Sequence, residues 1–172
     1  VPRNAARALS YMDRFVTVTQ GEVFYMTQLM AELEGLERGP AGNTSLAAAF
    51  VIAQEIDQEQ TVVVQETEYT GAGKHPLAQL NLAKQMGIKV RRGDPRDSKP
   101  GQCIVIPEQP AQLAVVNIDL EHVRRSYLQN AIKQLAQGES LSEIDLAFLA
   151  EETRISQTHV EEILNELTGK TG

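Results

Sequence analysis

A chain of 172 residues that is 42% apolar can bury one core, with room for a small appendage, and is not a disordered polymer. No apolar run approaches the roughly 20 residues that span a bilayer, and no signal peptide is visible. The net charge of −7 argues against a protein that works by neutralising phosphates along a nucleic acid, and the one cysteine, Cys103, makes a reducing, cytoplasmic setting the default.

The chain opens on Val1 inside Ala-rich helical text, which reads either as a piece of something longer or as a processed or trimmed chain. Residues 4–14 carry helix formers with apolar spacing at Ala5, Ala8, Leu9 and Met12, and residues 15–19 (FVTVT) read as a short strand. Thr19 caps a helix over about 21–34 that Gly35 closes; Val23, Met26, Met30 and Leu33, with Phe24 alongside, are its expected core set. A small-residue loop, Gly39-Pro40-Ala41-Gly42-Asn43-Thr44-Ser45, leads into a helix from Leu46 that is apolar almost all round, as a buried helix is.

Thr61-Val62-Val63-Val64-Gln65 has continuous valine at its centre, the mark of a strand buried on both faces. It empties into Thr70-Gly71-Ala72-Gly73-Lys74-His75, after which Pro76 opens a helix that Gly87 ends. Ile88-Lys89-Val90-Arg91 and Cys103-Ile104-Val105-Ile106 are strands separated by a polar loop holding Gly93, Pro95, Pro100 and Gly101. The alternation implies an α/β fold, a parallel sheet with helices on both faces, over residues 1–107. Residues 108–172 read as a C-terminal helical appendage. Its helices run over about 119–137, from a Ser140–Glu143 capping box to about Thr153, and from a Ser156 cap to about Leu167.

Ligands of parallel sheets sit beyond the carboxyl ends of the strands, here residues 65–74. A helix start preceded by small residues makes a cradle for an anionic or aromatic group. For residues 39–45 the plainer reading is a helix N-terminus capped by Asn43 or Thr44. Thr70 to Lys74 is not a phosphate-binding P-loop, because the upstream glycine is missing and His75 stands where Ser or Thr should follow the lysine. What it does offer is the Thr70 hydroxyl, which can hydrogen-bond a pyridine nitrogen without forcing it to protonate.

His75, His122 and His159 lack metal-ligand spacing and read as helix-start or surface residues; Cys103 reads as an inert buried thiol. Arg91, Arg92, Arg96 and Lys99 form a basic cluster that is either a solvated loop or a contact for an anionic cosubstrate. Residues 140–167 have the outline of a helix-turn-helix, yet Glu143, Asp145, Glu151, Glu152, Glu161, Glu162 and Glu166 against Arg154 alone would repel phosphate. A packing or partner-binding helical pair fits better.

The order of these motifs, the Glu34–Ala47 run followed by Thr61-Val62-Val63-Val64 and Thr70-Gly71-Ala72-Gly73, resembles the C-terminal third of fold-type II, threonine synthase-like pyridoxal-phosphate enzymes. Gly73 to Leu80, Gly93-Asp94-Pro95, Pro100-Gly101 and Ile104 to Glu108 are similar, more specifically, to the pyridoxal-phosphate subunits of 2-amino-4-ketopentanoate thiolases. The resemblance implies pyridoxal 5′-phosphate as cofactor. Gly39, Pro40 and Ala41 would lie beside it, Thr70 (or Thr67, since loop length departs from the pattern) would face its pyridine nitrogen, and Gly71 would adjoin that contact.

The resemblance further implies a small partner subunit and an acyltransferase reaction that cleaves 2-amino-4-oxopentanoate with coenzyme A to alanine and acetyl-CoA in ornithine degradation. It places the Schiff-base lysine, the ring-hydroxyl loop and the main phosphate loop upstream of Val1. Lys74 lacks the serine- and phenylalanine-flanked setting of that lysine, so this stretch alone is expected to be inactive. Another threonine synthase-like lyase or synthase, or a non-catalytic partner-binding module, are the alternatives.

Overall fold

The computed structural model describes residues 9, 11–66, 76–133 and 141–169. These form an α/β arrangement of six α-helices and short strands, divided into two compact units: Val16–Val116, and Val1–Phe15 with Asn117–Gly172.

The α/β unit is organised around helix α1 (Gln20–Glu34). Thr19 caps it in a reciprocal box: the Thr19 hydroxyl accepts from Glu22 N–H (3.3 Å) and a Glu22 oxygen accepts from Thr19 N–H (2.6 Å). Gly35 closes it in the left-handed conformation at φ 66°. The other Glu22 oxygen accepts from Ala114 N–H at 2.7 Å, so this carboxylate is buried with both oxygens occupied. Strands β2 (Lys89–Arg92) and β3 (Cys103–Ile106) pair in parallel, Lys89 opposite Cys103 through Arg92 opposite Ile106. Between them lies the expected polar loop with a 3-10 turn at Pro95–Asp97.

One side of α1 buries Phe24 against Ile104 and Ala83, the latter from helix α3 (Pro76–Gln85), which Gly87 ends at φ 80°. The other side buries Met26 with Leu113 and with Ala47 of helix α2 (Asn43–Ile52). Met30 is half-buried there, whereas Leu33, expected in the core, is 70% exposed because it falls in the last turn. A further strand, β1 (Val16–Thr17), is shorter than the sequence pattern predicts and pairs with β4 (Val116–Asn117).

Two expectations for the sheet are corrected. Residues 61–65 do not form a buried strand: they carry no regular structure and no strand pairs with them among the described residues. Val63 is 90% exposed, so the valine run lacks a second surface to pack on. Helix α2 is likewise half-buried rather than enclosed, with Asn43 and Ala47 its buried residues. The parallel sheet is therefore seen as the β2–β3 pair.

In the helical unit, α4 (Leu120–Lys133), α5 (Glu143–Thr153) and α6 (Gln157–Thr168) enclose Tyr127, Leu128, Leu149, Val160, Ile163 and Leu164. The capping box of α5 is Ser142 with Asp145, two residues beyond the predicted Ser140–Glu143 box. Ser156 caps α6 as expected, accepting from His159 N–H at 3.2 Å. Arg154, left-handed at φ 54°, donates to the Leu9 and Met12 carbonyls and to Asp13.

Two predictions follow from these contacts. A β-carbon on Gly21 would sit 1.8 Å from the Val105 carbonyl oxygen, so Gly21→Ala should cost about 3 kcal/mol or more in urea unfolding of the chain. The His159 ring lies 3.0 Å from Glu162 and 3.7 Å from Glu121, and these carboxylates raise its pKa above the ordinary 6.5. A raised folded-state value stabilises the helical unit fully below pH 6.5, and that contribution should be lost as pH climbs through the raised value. His159→Gln should flatten this slope, as followed by thermal unfolding across the pH range.

Candidate functional site

The small-residue loop and the end of the valine run meet, although that run is not a strand. Ser45 Oγ donates to the Gln65 carbonyl oxygen at 2.9 Å, and Arg38 Nε lies 3.4 Å from Glu66 Oε2. These contacts hold residues 38 and 45, on either side of Gly39, Pro40 and Ala41, to residues 66 and 65; Thr67, Thr70 and Gly71 follow in the sequence. Those three residues lie outside the described ones, as do Lys74 and His75.

The loop is a tightly self-bonded helix entrance. Asn43 and Thr44 N–H donate to the Gly39 and Ala41 carbonyls (3.3 Å each), and Thr44 Oγ1 donates to the Pro40 carbonyl at 3.4 Å. Neither Asn43 nor Thr44 is the side-chain cap that the sequence suggests; Gly42 precedes the helix without a side-chain cap. Gly39, Pro40 and Gly42 are buried, and the Ala41 methyl is exposed. The Gly39, Pro40 and Ala41 carbonyls are committed to these bonds, and residues 39–45 carry no charged side chain.

Asn43, fully buried, is the residue whose role sequence reasoning missed. Its Nδ2 donates to Thr27 Oγ1 (3.1 Å) and to the Gly39 carbonyl (3.4 Å), while Thr27 Oγ1 donates to the Val23 carbonyl (2.7 Å). The loop is thus tied to α1 by a side-chain amide. Asn43 Oδ1 is buried with no partner among the described residues. Its sequence signal was ambiguous, since Asn before a helix reads as a cap.

A second concavity, of about 220 Å³, lies where β2 and β3 end and is lined by Tyr25, Gln28, Leu29, Glu32, Arg92 and Glu108. Its two carboxylates outnumber the guanidinium, which disfavours an anionic ligand. The rest of the basic cluster is largely neutralised locally. Arg91 pairs with Asp97 (2.9 Å), and Arg96 Nε with Asp94 (2.9 Å), holding the Asp94 carboxyl down to about 2. Cys103 is half-buried, not enclosed as expected, and meets the Arg91 guanidinium.

The chain is 54% identical over 167 residues to a protein named 2-amino-4-ketopentanoate thiolase beta subunit, from an unknown prokaryotic organism. It is 48% identical over 169 residues to one of the same name from Acetoanaerobium sticklandii. It is similar to these subunits over nearly its whole length. The matches cover 97% and 98% of the chain but 35% and 36% of the relatives, so the chain spans about a third of the curated relatives' length. No protein-family model and no solved structure matches it. Among the described residues, no helix is long and apolar enough to cross a membrane.

The Asn43 tie is testable by itself. Asn43→Ala removes both amide donations and should lower unfolding stability by about 1–3 kcal/mol, measured by urea denaturation. Undiminished stability would mean that the loop is positioned without it.

Proposed function

We propose that the chain is the cofactor-facing part of the pyridoxal-phosphate subunit of a fold-type II, threonine synthase-like thiolase. The enzyme would cleave 2-amino-4-oxopentanoate with coenzyme A to give alanine and acetyl-CoA, a step of ornithine degradation, working with a small partner subunit in the cytoplasm. The observation that carries the reading is the 48–54% identity, along nearly all of the chain, to relatives named as beta subunits of that thiolase.

The described residues suit one wall of a flat heterocycle. The Gly39–Gly42 backbone and the Ala41 methyl are small, neutral and held rigid by their own hydrogen bonds. Such a wall excludes water from a ring face and adds no charge to it. Pyridoxal phosphate, when bound, supplies an electron sink for the carbanion left as the acyl group departs. Thr70, following the segment that Ser45 fastens at Gln65, would donate a hydrogen bond from its hydroxyl to the pyridine nitrogen, with Gly71 next to it and Thr67 as the alternative donor. The exposed valine face at residues 61–65 supports a setting in which a longer chain covers it, since such a run otherwise has no reason to be apolar.

In the full-length subunit, Thr70→Val should shift the cofactor absorbance band and slow turnover about three- to tenfold, the rate equivalent of one ordinary hydrogen bond. Alanine and acetyl-CoA should be the products by mass spectrometry. A wild-type subunit without a cofactor band, or an unchanged spectrum and rate in the variant, would refute the proposal or this residue's part in it.

A further inference from the structure

The cofactor wall leaves the helical unit without a task, and that unit carries a surface its own core does not need. Along α5, Ile144, Ala147 and Phe148 stand at i, i+3 and i+4, one face of the helix. Ile144 is 82% and Phe148 53% exposed, while Leu149 is buried in the core beneath. The small Ala147 helps leave a groove of about 450 Å³ between α5 and α6, lined by Glu143, Ile144, Leu146, Ala147, Gln157 and Glu161.

The charges around the groove are uneven in an informative way. Three other carboxylates of the unit have cationic neighbours: Glu121 and Glu166 meet Arg125, and Glu162 meets His159. Glu143 and Glu161, on the groove itself, are exposed and have no cationic partner among the described residues. An apolar floor between two unneutralised carboxylates complements an amphipathic helix whose apolar stripe is flanked by Lys or Arg. A second copy of the chain would bring like charges together, and phosphate-rich surfaces would be repelled.

We infer that the α5–α6 groove docks a basic amphipathic helix of the other subunit that the word "beta" in the relatives' name implies. The choice of partner rests on the proposed function; the groove's shape and charge do not.

The test uses the full-length subunit and its separately purified companion subunit, with the dissociation constant measured by sedimentation velocity at low and high salt. Ile144→Asp, a substitution at an exposed position, should weaken the complex about tenfold or more. The pair Glu143→Gln with Glu161→Gln should weaken it mainly at low salt, flattening the salt dependence. Both variants should keep the wild-type melting temperature and cofactor absorbance. Wild-type affinity in both variants would overturn the inference, as would absence of a wild-type complex. So would a self-associating subunit whose dimer is lost in Ile144→Asp, which would make the occupant a second copy. A fall in the melting temperature of the isolated Ile144→Asp subunit with unchanged affinity would show the groove to be covered by the subunit's own chain, and would also overturn it. Because association and cofactor absorbance are read separately, a missing cofactor band with groove-dependent association would defeat the proposed chemistry and leave the docking site standing.

Discussion

The α/β unit depends on one close approach, that of the first turn of α1 to the backbone of β3. The place where a Gly21 side chain would begin is occupied by the Val105 carbonyl, 1.8 Å from an ideal β-carbon. Only a residue without a side chain lets the helix rest there, and the neighbouring Thr19–Glu22 box and the Glu22–Ala114 hydrogen bond fix the helix at that point. From this seat, α1 presents Phe24 to the strands and Met26 to α2. One turn further on, Thr27 receives the Asn43 amide. The candidate site is therefore placed by a relay from Gly21 through Thr27 to Asn43, and from Ser45 to Gln65.

Much of the fold was legible where the chemistry is local. A Thr cap, a closing glycine at 35 or 87, and a Ser cap at 156 each depend on a few neighbouring residues, and each is where the sequence places it. The β2 and β3 strands were equally clear, because a polar loop with Gly and Pro separates two short apolar runs. The box at Ser142 and Asp145 was misplaced by two residues because Ser140 and Glu143 satisfy the same spacing rule.

What could not be read was whatever depends on a distant surface. The valines at 61–65 have the composition of a buried strand, but composition does not say whether a covering surface is at hand, and Val63 stands in the open. Leu33 has the right helical spacing for the core and falls where the core has ended. Nothing near Glu22 announces that a carboxylate will be buried, because its second hydrogen bond comes from Ala114, 92 positions away. Nor does the sequence distinguish Asn43 as a cap from Asn43 as a buried tie; that depends on Thr27 arriving from α1.

In the α/β unit, Arg91 and Arg96 are met by Asp97 and Asp94, and the Gly39–Gly42 carbonyls accept from Asn43, Thr44 and Ser45. On the proposed reading, such a neutral wall leaves the protonation of the pyridine nitrogen to whatever single group meets it, and a hydroxyl there makes the ring a milder electron sink than a carboxylate would. In the helical unit, Glu143 and Glu161 stand beside the exposed Ile144 with no cationic partner among the described residues. Carboxylates set beside a helix face that its own core leaves bare select a partner by sign, and do so without disturbing the uncharged surroundings that the cofactor ring would need.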